Sequence, residues 1–160
     1  MQQQPEKVWA AFTGDRTRDR KSWFTFALVF TDRQLIVGQH NQHLLMDALR
    51  QAHVETEGMD ETARLIATIK APGKLAKRYY TEPLSMAMAE LGDPVFIPFK
   101  DIRSMYFYLS NESTVKNAVT GPEYRLNLDS KQLKDTFRLI EWPGQEVTTL
   151  KQMFGDRLKY

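Results

Sequence analysis

A chain of 160 residues with 42% hydrophobic and 26% charged side chains has the composition of a folded domain and lacks the bias of a disordered one. Its 22 Lys and Arg stand against 20 Asp and Glu, a net charge of +2 with the signs interspersed, which argues against a protein that wraps nucleic acid with a concentrated basic face. With no cysteine in the chain, disulfides, thiolate metal sites and thiol catalysis are excluded.

Met1 to Lys7 lacks the apolar core of a signal peptide, and no stretch approaches the ~20 apolar residues that span a bilayer. The expectation is a soluble, cytoplasmic protein. Lys7 to Thr13 reads as a first strand, and Gly14 to Lys21 as a polar connection. The strongest signal follows. Ser22 to Gly38 is a run of aromatic and β-branched residues interrupted by Thr31-Asp32-Arg33, which predicts two antiparallel strands folded over a turn. Phe24, Phe26, Leu28 and Phe30 fall on one face of the first of these strands, and Trp23, Thr25, Ala27 and Val29 on the other. Both faces are largely apolar, so cover on both sides is expected.

From Asn41 to Gly92 the period changes from two to 3.6, with Leu44, Leu45, Ala48, Leu49 and Ala52 forming one helical stripe. Asp60 is placed to cap a second helix carrying Ala63, Ile66 and Ala67, Pro72-Gly73 breaks it, and Pro83 opens a last helical segment to Leu91. These helices must bury their apolar stripe, and packing on the sheet is the expected solution. Met46, Met86 and Met88 could also form an adaptable contact surface.

Strand patterning returns at Pro94 and runs through Val95 to Phe99 and then Ile102 to Leu109. After a polar connection from Ser110 to Gly121, Tyr124, Leu126 and Leu128 alternate with polar residues in a strand with one wet face. Thr136 to Trp142 reads as the last strand. Beyond Pro143-Gly144, a C-terminal helix is expected with Val147, Leu150, Phe154 and Leu158 on its buried side. At roughly 14 residues it would be marginal in isolation, so packing must hold it.

Successive strands closed by one amphipathic helix form a layout that resembles the pleckstrin-homology (PH) superfold. Three segments are similar to its bacterial PH-like and GRAM-like branch: Phe30 to Val37, with its Thr-Asp-Arg turn; Ile97-Pro98-Phe99-Lys100-Asp101-Ile102; and the terminal helix over Leu150 to Leu158. The resemblance implies a mainly β, α+β single domain over residues 1–160. It would be a partly open β-barrel of about seven antiparallel strands, formed by 7–40 and 93–142 and capped by a helix over 144–158. Residues 41–92 would be a helical insertion where the family has a short loop.

The resemblance also suggests a basic site. Phosphoinositide-binding PH domains carry Lys and Arg on their first two strands, and Lys7, Arg16, Arg18, Arg20 and Lys21 are the corresponding cations here, diluted by Asp15 and Asp19. The histidines His40, His43 and His53, with Asp47, lack further ligands at matching spacing and read as surface residues at a strand-to-helix junction rather than a metal site. Glu123, Asp129, Asp135 and Glu141 alternate with apolar neighbours and read as a solvent face rather than a catalytic carboxylate pair. Tyr79-Tyr80 and the pair Tyr106 and Tyr108 could stack on bases, but a two-tyrosine stripe without flanking arginines reads as core or subunit interface rather than a nucleic-acid platform.

The functional expectation is a non-catalytic, intracellular binding or assembly module, without cofactor or metal, that engages a protein partner or a second copy of itself. A second reading is a peripheral membrane module that meets anionic or phosphoinositide headgroups through the basic 16–21 loop. A third is an enzyme with a site where the insertion meets the barrel. Nucleic acid is not an expected partner.

Overall fold

The computed structural model describes residues 6–16, 25–110, 123–140 and 144–160. Three strands come first: β1 (Val8–Arg16), β2 (Phe26–Thr31) and β3 (Gln34–Gln39). Four helices follow: α1 (Gln42–Glu55), α2 (Glu61–Lys70), α3 (Gly73–Lys77), which runs into a 3-10 turn at Arg78–Tyr80, and α4 (Leu84–Glu90). Then come β4 (Gly92–Pro98), β5 (Ile102–Ser110), β6 (Glu123–Ser130), β7 (Lys134–Leu139), α5 (Gln145–Phe154) and β8 (Leu158–Lys159). Among the described residues, no helix is long and apolar enough to cross a membrane.

The chain is therefore α+β, with one mixed sheet in the order β4-β3-β2-β1-β7-β6-β5-β8. Strands β1 to β7 lie antiparallel to their neighbours, and β8 adds a parallel partner to β5. The end strands β4 and β8 do not pair with each other, so the sheet is open. It nevertheless bends around a single interior. Ile97 from one end, Leu158 from the other, and Phe12, Leu28, Phe107, Leu126 and Phe137 between them belong to one buried cluster. Edge-to-face ring contacts tie it together, Phe12 with Phe30 at 6.0 Å and Phe107 at 5.9 Å, and Phe99 with Phe154 at 4.8 Å.

The β2–β3 turn has a local cause. Thr31, fully buried, accepts hydrogen bonds at Oγ1 from the backbone N–H groups of Arg33 and Gln34, both at 3.1 Å, and Asp32 donates its N–H to the carbonyl of Lys7 at 2.9 Å. The helices start as their caps dictate. Asn41 Oδ1 accepts from His43 N at 2.8 Å, and Asp60 Oδ1 from Ala63 N at 2.7 Å.

Several boundaries depart from the sequence reading, two of them with a clear cause. Strand β1 runs to Arg16 rather than Thr13, because Gly14, Asp15 and Arg16 pair with Leu139, Arg138 and Phe137 of β7, a partner over a hundred residues away. The last helix stops at Phe154, since Gly155 takes φ +59°, ψ −129°, a conformation open to glycine. Leu158 is still fully buried, but it reaches the interior from β8.

The outer face of β1–β3 carries a second cluster: Ala11, Ala27, Val29 and Ile36 from the strands, with Ala76, Tyr79, Ala87 and Leu91 from the helical region. Strand β2 is thus buried on both sides. Close approach depends on Gly38, where a Cβ would stand 2.8 Å from Cβ of Leu91. Gly38→Ala is expected to cost about 1–3 kcal/mol of stability by overpacking this seam, read as a lower urea midpoint. Limited proteolysis should then cut first within residues 42–90; a variant as stable and as resistant as the parent would contradict the seam.

Candidate functional site

A groove of about 600 Å³ opens where the helical region meets the sheet. Lys7, Val8, Gln34, Ile36 and Phe96 line one wall; Tyr79, Tyr80, Leu84, Ser85 and Met88 line the other, and Glu6, Glu82 and Pro83 lie on its rim. Its floor is apolar, and Phe96 is 47% exposed within it. The lining as a whole carries both signs of charge, Lys7 against Glu6 and Glu82.

The walls are fixed in place. The Ala11 backbone N–H donates to the Tyr80 hydroxyl at 2.8 Å, tying the 3-10 turn to β1, and Gln34 Nε2 donates to Glu6 Oε1 at 3.0 Å. Burial raises the hydroxyl pKa of Tyr80 and pushes that of Tyr79 up to about 12, so both rings stay neutral. Arg78 donates to Glu82 at 3.0 Å and to Glu90 at 3.1 Å, joining the start and end of α4 through one guanidinium held charged by the two carboxylates. Among the described residues, the groove's one serine, Ser85, is not hydrogen-bonded to a base, so the walls offer shape and contacts rather than an activated nucleophile.

Behind the groove, His40 corrects the sequence reading of three surface histidines. It is 3% exposed, with Nε2 3.2 Å from Thr13 Oγ1 on β1 and its ring 6.4 Å from that of Tyr79. Burial, with the nearby Arg78 charge, lowers its pKa to about 4. The ring lies just after β3, so closing the helical region over β1–β3 buries it too. His43 and His53 are exposed as expected, and no group of three or more metal-ligating side chains gathers among the described residues.

The basic residues of the sequence reading do not form one site in the described structure. Lys7 is exposed at the groove, with Nζ 5.4 Å from the Trp9 ring. Arg16 belongs to β1 rather than to a loop. Its guanidinium lies over the Phe26 ring at 4.4 Å and makes a 3.0 Å ion pair with Asp135, whose side chain is 4% exposed. Arg16 is therefore engaged in holding β1 to the neighbouring strand. Arg18, Arg20 and Lys21 lie outside the described residues, as do most of the 16–21 loop and Glu141.

The carboxylates also need correction. Asp129 does face solvent, paired with Arg103 and Lys134. Asp135 shares the inward parity of Phe137 and Leu139, because β7 begins at Lys134. Glu123 is 7% exposed and bound to Arg125 at 2.7 Å.

The sequence reading also missed a row that pairing assembles on the outer face of the other half-sheet. Tyr108 of β5 lies opposite Arg125 of β6, which lies opposite Arg138 of β7. The signal was present in the alternation of each strand, but only register brings the rows together. Comparisons with family models, with curated proteins and with solved structures return no match for this chain.

The depressed pKa of His40 has a definite sign. An unfolded histidine takes a proton near pH 6.5 and the folded one near 4, so stability is complete above 6.5 and falls as the pH drops toward 4. Between pH 7 and pH 5 the loss from this group should be about 2 kcal/mol. The charged or titratable neighbours that face it, Arg78 and Tyr79, keep their states across this window. Denaturant unfolding of the parent and His40→Gln at the two pH values checks this. The variant should lose most of the difference, and a His40 midpoint near 6.5 by NMR would disprove it.

Proposed function

We propose that this chain is an intracellular PH-like binding module that holds an extended segment of a protein partner in the groove between its helical insertion and its sheet. The architecture is supported by seven successive antiparallel strands followed by a closing helix whose Val147, Leu150 and Phe154 enter the interior. A chain without cysteine suits a reducing compartment. The observation that carries the reading is the groove itself: about 600 Å³ lined largely by apolar and aromatic side chains, with an exposed Phe96 and both signs of charge, Lys7 against Glu6 and Glu82. Such a surface suits a peptide with apolar side chains seated between polar ones.

The membrane reading is weakened by Arg16, whose guanidinium is already occupied by Asp135. The enzymatic reading would need a base hydrogen-bonded to Ser85, and no described groove residue, Glu82 included, makes that bond.

Panning a displayed peptide library against the folded chain tests the proposal. Selected peptides should shift NMR signals of residues 6–8, 34–36, 84–88 and 96. Their affinity should drop roughly tenfold in Phe96→Ser, the loss expected when a central aromatic contact is removed. Selected peptides that map elsewhere, or that bind Phe96→Ser equally well, would rule the groove out as the recognition site.

A further inference from the structure

The outer face of β5–β7 differs from that of β1–β3, because among the described residues no helix of the second buried cluster packs on it. Tyr106 is 46% exposed and stacks on Tyr108 with ring centroids 4.9 Å apart and planes 21° from parallel. Each ring covers one face of the other, which leaves the outer face of each for a further planar ring, on a rigid strand rather than on a loop tip.

Cations surround it through register. Lys159 of β8 pairs beside Tyr106; Arg125 stands opposite Tyr108, and Arg138 opposite Arg125. Glu123 anchors Arg125 with a 2.9 Å hydrogen bond to its Nε. Arg138 Nε is buried and has no hydrogen-bond partner among the described residues. Across β8, β5, β6 and β7 this patch spans roughly 14 Å, three interstrand spacings. Cations outnumber carboxylates on it: Arg103, Arg125, Lys134, Arg138 and Lys159 against Asp15, Glu123 and Asp129. An occupant must supply negative charge and planar rings together.

We propose that this face binds single-stranded nucleic acid, with Tyr106 and Tyr108 stacking on bases and Arg138 and Lys159 meeting phosphates. A duplex hides the faces of its bases, whereas a single strand offers them together with its backbone charge. The low net charge of the chain fits modest affinity without sequence preference, since only two or three phosphates are neutralised. The site lies on different strands from the groove, so the two proposals stand or fall separately.

Fluorescence anisotropy with a labelled oligo(dT) of about a dozen nucleotides tests this on the full chain. Binding should fall in the range of roughly 1–100 µM at low salt and weaken about tenfold between about 50 and 200 mM. Tyr106→Ala should weaken it by about fivefold or more, and Tyr106→Phe should keep it, because stacking needs the ring and not the hydroxyl. Arg138→Gln should weaken binding and flatten the salt dependence by about 0.7 in log–log slope. No binding at low salt overturns the proposal. So does equal affinity for a duplex, or a Tyr106→Ala, Tyr108→Ala variant that binds as well as the parent, which would leave a bare charge patch. Equal competition by polyglutamate would overturn it as well. A dimer in light scattering that Tyr106→Ala disperses would assign the face to a second copy instead.

Discussion

The rest of the structure depends on one constraint: β1, β2 and β3 carry apolar side chains on both faces, and neither face can be left to water. Val29 and Ile36 on the outer side are as fully buried as Leu28 and Phe30 on the inner side. Each such side chain is worth roughly 1.5–3 kcal/mol when removed from water. The cover comes from α3, the 3-10 turn and α4, segments of five, three and seven residues. Helices this short have negligible stability alone, so sheet and helices hold each other. Small residues at the contact, Ala11, Ala27 and Gly38, set how closely they approach. His40 and Tyr79 are polar groups drawn into that seam, and their shifted protonation equilibria are consequences of it.

The second half of the sheet obeys a simpler rule. Met105, Phe107, Leu126, Leu128, Phe137 and Leu139 face inward, where Val147, Leu150 and Phe154 of α5 complete the interior. The alternate residues face outward and are polar or aromatic. Among the described residues, one half of the sheet is therefore covered twice and the other once. The groove lies at the margin of the doubly covered half, and the tyrosine pair lies on the other half. The α1–α2 hairpin stands furthest from either core. Only Leu45 and Ala52 are buried hydrophobics on α1, and no residue of α2 is buried, which places it among the segments with the least to lose on local opening.

What the amino-acid order made legible was whatever depends on near neighbours. The Thr31-Asp32-Arg33 turn, the cap at Asp60, the breaks at Pro72-Gly73 and Pro83, and the two-sided burial of β2 can all be read from short windows. Long-range pairing was not legible. Nothing near Arg16 indicates that it ends a strand against Phe137, or that Asp135 will meet it. Leu158 had the spacing of a helical position and reached the same burial from a strand, because periodicity reports what must be buried and not which backbone buries it. Parity failed at Asp135 for a related reason: the sequence reading starts the strand at Thr136, two residues after Lys134, so Asp135 falls outside it. Flanking arginines were missed at Tyr106 and Tyr108 because a sheet assembles its surfaces across strands, and Arg125 and Arg138 arrive from residues 17 and 30 positions after Tyr108.

The edges of the sheet explain why recognition is assigned to faces. An open sheet exposes unpaired backbone groups at both ends, and an incoming chain could extend it there. Strand β4 carries Pro94 and Pro98, two residues on either side of Phe96. Prolines in a sheet sit where the missing N–H faces away from the ladder. The alternate positions 94, 96 and 98 then turn toward the free edge, and Phe96 alone has a donor to offer. At the other end, β8 pairs with Met105 and Tyr106 of β5. The hydrogen bonds of Arg157 to the carbonyls of Phe99 and Ile102, at 2.8 and 3.0 Å, and of Lys151 to that of Leu158, at 2.6 Å, hold this segment in place. One edge is short of donors and the other is partly filled by the chain's own C-terminal segment. Among the described residues, strand addition is therefore disfavoured at both ends, which favours side-chain surfaces, the groove around Phe96 and the platform around Tyr106, for the recognition proposed above.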